Sequence, residues 1–445
     1  MSRITLRDHI QRLRERDSLH IVSRQVDPKH ELAAVTKAVQ QATNDAVIFE
    51  DVIGTRHPVV TNLYNDRDRL CSIIDAGADD FCGRWNELHD IAKSLPFPET
   101  KDCEKPADIE DCALSDLPLI TYHGRDAGPY FTSPIFIARH PLTGTHNLSF
   151  HRSMYINDNE LRVRLGASHD LAAYQAIVEE QDEALEAAIL IGADPAIFLC
   201  AGASIPQDDS EIAVAAAING APVDCYPAKT IDLKIPLGSQ FVIEGRILPN
   251  VRRNEGPFGE FLGYYVEEGR NHVFEVSAVY HTDNALFHSI LCGSKEDIAL
   301  LEALTAAKTY RHLNNVLPGI VDVACSPTVM NTTIKIRQQY EGHSRQVLLA
   351  AFGAHLDYNK VCAVVDDDVD IHSQDDILWA FATRGRADTR TLVIPDMPGF
   401  YRDPNKDHWG RLGIDATYPF DRRDEFVRKE IPGEESIRLE DYLSS

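Results

Sequence analysis

Two glutamates lie five residues apart in a turn-forming segment of the 445-residue chain, Asn254-Glu-Gly-Pro-Phe-Gly-Glu-Phe-Leu-Gly-Tyr-Tyr265. Three glycines and a proline give this segment an unusual backbone path, because glycine tolerates positive φ and proline fixes φ. We expect this path to present Glu255 and Glu260 to one cavity, where paired carboxylates can do acid and base chemistry. A simple tight turn with both carboxylates in solvent is the alternative.

A second polar segment, Thr145 to Met154, is predicted to form a strand. Alternation along a strand separates two faces, with Asn147, Ser149 and His151 on one and Leu148, Phe150 and Arg152 on the other. A buried arginine beside apolar residues needs a charged partner, because an uncompensated charge there is costly. Glu255 or Glu260 is the expected partner of Arg152, and an exposed arginine at a strand end is the alternative.

Two further residues start predicted helices. His169 precedes one helix, whose N-terminal N–H groups favour an anion. Glu211 opens another, where the helix dipole also explains a carboxylate. Neither residue alone distinguishes a ligand from a capping or surface group.

The elements that must position these residues fall into three parts. An α/β lead-in comes first and a Pro- and Asp-rich stretch from Leu95 to Pro118 follows it; a strand-rich part then runs from about Leu119 to Ser294. A helix from Lys295 to Asn315 leads into a last part that alternates strands and helices. The middle part is predicted to include a helix from Asp170 to Ile189 and strands at Ile197–Cys200 and Ala228–Ile235.

Composition excludes several classes of protein. The formal net charge of −25 opposes binding to nucleic acid or an anionic membrane. Asp194 and Pro195 interrupt the most apolar stretch, Ala187 to Ala203, which therefore predicts a helix end followed by a buried strand and no membrane span. The N-terminus has no apolar signal segment, and the nine cysteines form no Cys-x-x-Cys pair. We expect a cytoplasmic protein with reduced thiols.

Several segments together resemble one enzyme family, the UbiD-like decarboxylases, in the family's order and at close to its spacing. They are Glu255–Glu260, Asn147–Arg152, His169, Val364–Asp370 with Trp379–Arg384, and Gly413–Thr417. The resemblance covers nearly the whole chain, and the Glu-Gly-Pro-Phe-Gly-Glu run is its most specific part.

The resemblance implies a bound prenylated flavin mononucleotide (prenylated FMN). Its phosphate would be held through a divalent manganese or magnesium ion ligated by Asn147, His169 and Glu211, and such oxygen and imidazole ligands suit manganese. A potassium ion is implied close to Leu148, Ala203, Ser204 and Glu211. Besides Asn147 and Glu211, the residues predicted to contact the cofactor are Ser149, Phe150, Arg152, Ser168, His169, Ser204 and Arg411.

The resemblance also implies reversible, non-oxidative decarboxylation of an aromatic, heteroaromatic or α,β-unsaturated carboxylic acid. The substrate would form a covalent adduct with the cofactor and lose CO2, and a glutamic acid would protonate it. Arg152, Glu255 and Glu260 would be catalytic. We expect burial to raise the pKa of Glu260, the proton donor, while Arg152 keeps Glu255 ionised. Cys292 and Lys295 are predicted to line the substrate pocket.

The implied fold is a multidomain α+β and α/β protein. Residues 1–105 would be an N-terminal α/β segment of the cofactor domain, 106–298 a split β-barrel that binds the flavin, 299–318 a linking helix, and 319–445 a C-terminal α/β oligomerisation domain with a tail that returns to the cofactor domain. The chain would form a homo-oligomer, a dimer or a hexamer, and receive its cofactor from a flavin prenyltransferase.

Two other functions fit the same residues. One is a metal-dependent hydrolase or lyase that needs no flavin. The other is a non-catalytic cofactor-binding subunit of a decarboxylase complex. Paired acids of opposite protonation state favour an enzyme over a binding subunit.

Overall fold

The computed structural model describes most of the chain, namely residues 3–77, 80–355, 357–397, 399–400, 402–405, 410–438 and 441–442. The α-helices are α1 Leu6–Glu15, α2 Glu31–Ala42, α3 Arg67–Ile74, α4 Phe81–Ala92, α5 Asp170–Glu179, α6 Pro195–Ala201, α7 Glu211–Asn219, α8 Lys295–Val316, α9 His343–Gly353 and α10 Gln374–Thr383.

The strands before residue 200 are β1 Leu19–Val22, β2 Ala46–Phe49, β3 Val59–Thr61, β4 Thr100–Asp102, β5 Glu110–Asp111, β6 Tyr130–Phe131, β7 Ile135–Arg139, β8 His146–Phe150, β9 Ser153–Asn157, β10 Glu160–Val163 and β11 Leu185–Ile191. Those after it are β12 Val223–Pro227, β13 Lys234–Pro236, β14 Phe241–Glu255, β15 Phe258–Gly259, β16 Tyr265–Val266, β17 Gly269–His281, β18 Phe287–His288, β19 Ile320–Cys325, β20 Asn331–Ile336, β21 Val361–Asp366, β22 Thr391–Ile394 and β23 Arg411–Ala416.

The N-terminal segment is built into the body of the protein. Its first helix is amphipathic, begins at a Thr5–Asp8 capping box and buries Leu6, Ile10 and Leu13. A four-stranded sheet then has the order β1-β2-β3-β18, so a strand from beyond residue 280 completes it. The N-terminal segment and the strand that precedes α8 in the chain therefore belong to the same sheet.

A nine-stranded sheet forms the centre of the molecule. Its order is β6-β9-β10-β17-β14-β11-β7-β8, and β5 also pairs with β17. The pairing of β14 with β17 runs antiparallel from Phe241 to Glu255, which places Glu255 at the far end of a long hairpin. β8, which carries Asn147 and Ser149, is the last strand at one edge of this order.

The C-terminal part is a five-stranded sheet with the order β19-β20-β21-β23-β22. The long helix α8 precedes it, and Ala303, Ala306 and Ala307 of that helix are buried in the main hydrophobic core. This mixed arrangement confirms the predicted multidomain α+β fold. The domain boundaries given above stay a proposal.

The structure corrects three predicted elements. The helix predicted from Asp170 to Ile189 ends at Glu179, because Asp182 adopts positive φ (57°) and the chain then enters β11. The order predicted for Ala187–Ala203 was reversed: a buried strand comes first, Gly192 turns the chain at φ 69°, and Pro195 starts α6. Ile197–Cys200 is therefore helical.

The predicted strand Ala228–Ile235 was also wrong over most of its length. Buried Glu244 accepts hydrogen bonds from the backbone N–H groups of Lys229 and Thr230, which holds a loop between β12 and β13. Among the described residues, no helix combines the length and hydrophobicity that crossing a membrane requires.

Candidate active site

A cavity of about 420 Å³ lies where the central sheet, the start of α8 and two C-terminal loops meet. Its walls come from parts of residues 147–152, 164–170, 201–205, 258–261, 290–308, 355–358 and 400–402. The two polar segments singled out in the sequence, around Asn147 and around Glu260, both line it. Residues from these two separate segments of the chain therefore meet at one cavity.

Arg152 and Glu255 form a bidentate ion pair at one wall. The guanidinium Nε lies 3.0 Å from Oε1 and Nη2 lies 2.9 Å from Oε2, and the two side chains are only 8% and 1% exposed. Tyr130 Oη donates to the same carboxylate at 2.8 Å and Asn271 Nδ2 at 2.7 Å. Such a fully bonded carboxylate is held in one orientation.

The glycine-rich turn brings the second carboxylate to the same wall. Gly256 has φ 94°, a conformation that favours glycine, and a Cβ on Gly259 would lie 2.5 Å from the His123 ring. The segment from β14 to β15 therefore follows a path that only small residues permit. Glu260 lines the cavity, whereas Glu255 is buried against Arg152 and does not line it, so only one of the two glutamates predicted to face the cavity does so. Neither carboxylate is in solvent, which excludes the solvated turn.

Glu260 contacts two guanidinium groups. Nη1 of Arg152 and Nη1 of Arg402 both donate to its Oε1. Burial alone would raise the pKa of Glu260, but the charges of Arg402 and Arg152 outweigh it and the pKa is lowered. The prediction that burial raises the pKa of Glu260 is therefore wrong, because it did not take the positive charge of Arg402 into account.

The pKa of Arg152 responds in the opposite way. Burial would lower it, but the neighbouring carboxylates of Glu255 and Glu260 dominate and raise it, so Arg152 stays charged. Its guanidinium also lies over the Phe258 ring, 4.6 Å from the centroid. At this wall the guanidinium groups of Arg152 and Arg402 are paired with carboxylates, and the Phe258 ring packs against Arg152.

A buried carboxylate, Glu211, lies next to the cavity and contacts two of the residues that line it. Glu211 is 3% exposed and accepts from Leu148 N at 3.1 Å and from Asn147 Nδ2 at 3.4 Å. Burial raises its pKa to about 8, and no lysine, arginine or histidine forms an ion pair with it among the described residues. A bound cation would be needed to keep this carboxylate ionised at neutral pH.

The chemistry of these donors fits a divalent metal. Asn147 Oδ1 accepts from Ser149 Oγ at 2.8 Å, beside Glu211. His169 lines the cavity from the position that caps α5, and its ring lies 5.1 Å from that of His151. The described residues contain no group of three or more His, Cys, Asp or Glu side chains placed to hold a metal ion, so the predicted site would need the amide oxygen of Asn147 as a ligand.

The other predicted cofactor contacts divide into two groups. Ser149, Phe150, Ser168 and Ser204 line the cavity, as do Leu148 and Ala203 of the predicted potassium site. Phe150 meets Phe198 edge to face at 5.2 Å. Arg411 instead is buried outside the cavity wall and donates to the Tyr358 carbonyl, so the structure does not bring it to the cavity.

The two predicted substrate contacts also differ. Cys292 lines the cavity, whereas Lys295 is exposed at the first position of α8 and does not. The side chain that faces the cavity from this turn is Asp297, which accepts from Gly293 N at 2.7 Å. Burial raises the pKa of Asp297 to about 6.

Sequence reasoning missed several charged residues of the cavity, among them Arg402, Asp297 and Lys308. Lys308 Nζ lies 2.6 Å from Ser204 Oγ at the cavity mouth, and burial lowers its pKa. Lys308 follows Ser204 by 104 residues and Arg402 follows Glu260 by 142. The only signal for Arg402 is its place after the turn-rich Pro395-Asp-Met-Pro-Gly stretch, which is too general to identify it.

Three models of a single protein family match consecutive parts of the chain. The N-terminal domain of 3-octaprenyl-4-hydroxybenzoate carboxy-lyase matches residues 10–94, its Rift-related domain matches 98–295, and its C-terminal domain matches 298–416. The chain belongs to the UbiD family. The resemblance found from the residues is thereby confirmed, and the Rift-related UbiD domain is the one that contains Arg152, Glu255 and Glu260.

Individual relatives agree over nearly the whole chain. The anhydromevalonate phosphate decarboxylase of Methanothermobacter thermautotrophicus is 30% identical over 414 residues, 92% of this chain and 96% of that protein. The UbiD-class enzyme HmfF of Pelotomaculum thermopropionicum, solved with FMN, is 31% identical with a TM-score of 0.92, and the match covers 99% of this chain and 100% of HmfF.

An evolved dimeric form of HmfF with prenylated FMN gives a TM-score of 0.88 at 30% identity, with coverage of 99% of this chain and 100% of that one. The family match and these relatives identify this UbiD protein as a carboxy-lyase, a decarboxylase.

Proposed function

We propose that this decarboxylase uses prenylated FMN to remove CO2 from an aromatic, heteroaromatic or α,β-unsaturated carboxylic acid. One observation carries the proposal: Arg152 joins two buried carboxylates, Glu255 and Glu260, at a cavity that Asn147 also lines, and Asn147 donates to the buried Glu211. The arginine–carboxylate cluster and the residues that would hold a cation thus lie at one cavity. The reaction is reversible in principle, and the residues do not set its direction.

The cofactor would be held next to Glu211. Asn147, His169 and Glu211 would ligate manganese or magnesium, which supplies the positive charge that Glu211 lacks and that a flavin phosphate needs. Ser168, Ser204 and the potassium-site residues Leu148 and Ala203 would lie around the same phosphate. HmfF is seen with FMN and with prenylated FMN, which supports a flavin in this chain as well.

Lys308 is the cation we assign to the flavin phosphate in place of Arg411. Its ammonium lies beside Ser204 at the cavity mouth, whereas the Arg411 guanidinium is bonded behind the wall. An ammonium group binds phosphate oxygens as a compact point charge. Phe150, which lines the cavity and packs on the buried Phe198, would form the apolar wall along the flavin ring.

The reaction converts a carboxylate and one proton into CO2 and a C–H bond. The C–C bond to the carboxylate breaks, its electron pair stays on the carbon, and a proton then adds to that carbon. Prenylated FMN, when bound, supplies an electron-accepting ring that stabilises this electron pair. Everything else is the work of the protein's own side chains.

Arg152 and Glu260 divide that work. Arg152, fixed by Glu255, orients the substrate carboxylate towards the cavity interior, where CO2 leaves. Glu260 delivers the proton as a general acid. Because Glu260 is ionised beside its two arginines, it must take up a proton before each turnover.

Co-expression with a flavin prenyltransferase tests the proposal. The purified protein would be examined by absorbance, by mass spectrometry of the released cofactor and by metal analysis, and then screened for CO2 release from carboxylic acids. Prenylated flavin, manganese or magnesium and CO2 release support the proposal. Metal with activity but no flavin would indicate a hydrolase or lyase, and cofactor without turnover would indicate a binding subunit.

The same preparation tests the assembly. Mass photometry or light scattering would determine whether the loaded protein is the dimer or the hexamer that the resemblance implies.

A further inference from the structure

The two carboxylate oxygens of Glu260 differ in their contacts. Arg152 and Arg402 both donate to Oε1, whereas Oε2 accepts only from the backbone N–H of Phe261, at 3.3 Å, among the described residues. An oxygen that already accepts from two guanidinium groups has little capacity left for a further proton. The proton that Glu260 must take up before turnover therefore goes to Oε2.

A second carboxyl, that of Asp297, lines the same cavity from the turn that leads into α8. This turn packs directly on the backbone of Glu260: a Cβ on Gly293 would lie 3.2 Å from the carbonyl oxygen of Phe261 and 3.6 Å from that of Glu260. Asp297 accepts from the N–H of the same Gly293 at 2.7 Å. The two acids therefore belong to backbone segments in contact, and both line one cavity.

The surroundings of Asp297 allow its carboxyl to hold a proton. No lysine, arginine or histidine forms an ion pair with it among the described residues, and burial, together with the charge of Glu260, raises its pKa to about 6. At Glu260, by contrast, the charges of Arg402 and Arg152 outweigh burial and lower the pKa. A single proton shared by the two acids therefore lies on Asp297.

We propose that Asp297 holds a proton in the resting site and passes it, directly or through one water, to Oε2 of Glu260, which delivers it to the substrate carbon. The proposal rests on the proposed function. It makes Asp297 a positioning residue, because it acts on the substrate only through Glu260.

The transfer moves one proton and no electrons between molecules. The O–H bond of Asp297 breaks and an O–H bond forms on Glu260, which leaves Asp297 as the carboxylate and Glu260 neutral. The proton then goes to the substrate carbon as CO2 leaves, and Glu260 is again an anion beside its arginines. Asp297 regains its proton from solvent through the cavity.

The other titratable or charged groups around the two acids are engaged with neighbours. They are Cys292, Glu296, His288, Arg152 and Arg402. Glu296 pairs with His288 at 2.9 Å, and the Cys292 thiol, whose pKa burial raises well above its usual value, donates to Asp297. Substitution of Asp297 itself separates its titration from that of His288.

Infrared spectroscopy of the loaded holoenzyme locates the proton without turnover. A protonated carboxyl absorbs apart from a carboxylate, so the difference spectrum between wild-type and Asp297→Asn proteins isolates the Asp297 group. We expect this difference to show a protonated carboxyl at pH 5 that disappears as the pH rises through about 6.

Turnover of an accepted acid by the same holoenzymes tests the transfer. Wild-type kcat should fall as the pH rises through about 6, because Asp297 then loses its proton. Asp297→Asn should be slower by about 10- to 100-fold at pH 5.5 and should lack this pH dependence. Imidazole, whose protonated form is a small diffusible acid, should restore part of the rate in Asp297→Asn and should not accelerate the wild-type protein.

Two further variants serve as controls. Asp297→Glu keeps a carboxyl and should retain part of the rate and of its pH dependence. Asp283→Asn, which alters an exposed aspartate before α8, should behave as the wild-type protein does.

Three results would overturn the proposal: no protonated Asp297 carboxyl in the difference spectrum at pH 5, Asp297→Asn holoenzyme with wild-type kcat and pH dependence, or a slow Asp297→Asn holoenzyme that keeps the wild-type pH dependence and does not respond to imidazole. The last result would mean that Asp297 only supports the turn through Gly293. Failure of the proposed function looks different, because wild-type holoenzyme would then release no CO2 from any acid, while the infrared titration would still show whether Asp297 holds a proton.

Discussion

Arg152 and Glu255 bind each other through two parallel hydrogen bonds, 3.0 Å from Nε to Oε1 and 2.9 Å from Nη2 to Oε2. Tyr130 and Asn271 bind the same carboxylate, so all its oxygens are engaged away from solvent. The arrangement fixes the direction in which Arg152 presents its remaining N–H groups to the cavity. This pair has a fixed orientation, whereas Glu260 must take up a proton before it can act as a general acid.

Arg152→Lys should therefore lose both activity and stability. A lysine cannot make two parallel bonds, and Glu255 would stay buried with an incomplete partner, a defect that costs about 3–5 kcal/mol when a buried pair is broken outright. We expect at least a roughly 100-fold fall in kcat. Urea unfolding and CO2 release measure the two effects.

The matched control is Arg386→Lys, because Arg386 forms an exposed pair with Asp388 and such pairs contribute about 0–1 kcal/mol. Wild-type turnover in Arg152→Lys would contradict the role given to the bidentate pair.

Divalent metal should stabilise the protein through Glu211. Its buried carboxylate gains a partner when manganese binds, so manganese at 100 times its Kd should add about 2.7 kcal/mol to the free energy of unfolding. In Glu211→Gln the gain should largely disappear, whereas the exposed Glu180→Gln should keep it. Thermal unfolding with and without manganese decides this, and an equal gain in all three proteins would place the metal elsewhere.

Loss of Lys308 should weaken the binding of FMN, which carries a phosphate, but not the binding of riboflavin, which lacks one. In Lys308→Met, we expect FMN binding to weaken by about 10-fold, which is the value of one charged hydrogen bond, while riboflavin binding stays unchanged. Fluorescence titration of the metal-loaded protein measures both, and Lys37→Met at an exposed position is the control. A similar loss for riboflavin would mean that Lys308 supports the cavity mouth and does not contact phosphate.

How far the sequence predicted this site depends on the distance between its parts. The turn at Gly256–Gly259 and the strand around Asn147 carry local patterns, so Arg152, Glu255 and Glu260 were predicted to meet, and they do. Arg402 and Lys308 reach the cavity from other parts of the fold as single charged residues without a pattern of their own. The wrong direction for the pKa of Glu260 followed from missing Arg402.

The fold shows the same limit in its elements. The helix predicted from Lys295 to Asn315 is observed at Lys295–Val316, one residue longer. The stretch from Leu185 to Ala201 is apolar apart from Glu186 and Asp194, so its periodicity carries little signal, and the strand and helix were assigned in reverse order.

Asp297 should make stability depend on pH. Burial raises its pKa in the folded protein to about 6, above the unfolded value of 3.8. The folded state therefore favours the protonated form, and the stability this gives is lost as the pH rises through about 6. Asp297→Asn should remove the cost of ionisation and stabilise the protein at pH 7.5 by about 1–2 kcal/mol, after allowance for partial exposure of the side chain.

At pH 5 the gain should be clearly smaller, because the wild-type carboxyl is then mostly protonated. Urea unfolding at the two pH values tests this, with the exposed Asp283→Asn as control. A gain that does not change with pH would contradict the assignment.

The most direct test of the account is turnover of an accepted acid in D2O by wild-type and Glu260→Gln holoenzymes, with CO2 and product measured together. We predict one CO2 and one deuterium at the vacated carbon for each wild-type turnover, and a fall of about 10²- to 10⁴-fold in Glu260→Gln despite retained cofactor and substrate binding. Wild-type rates in Glu260→Gln, or loss of the acid without CO2, would contradict the account.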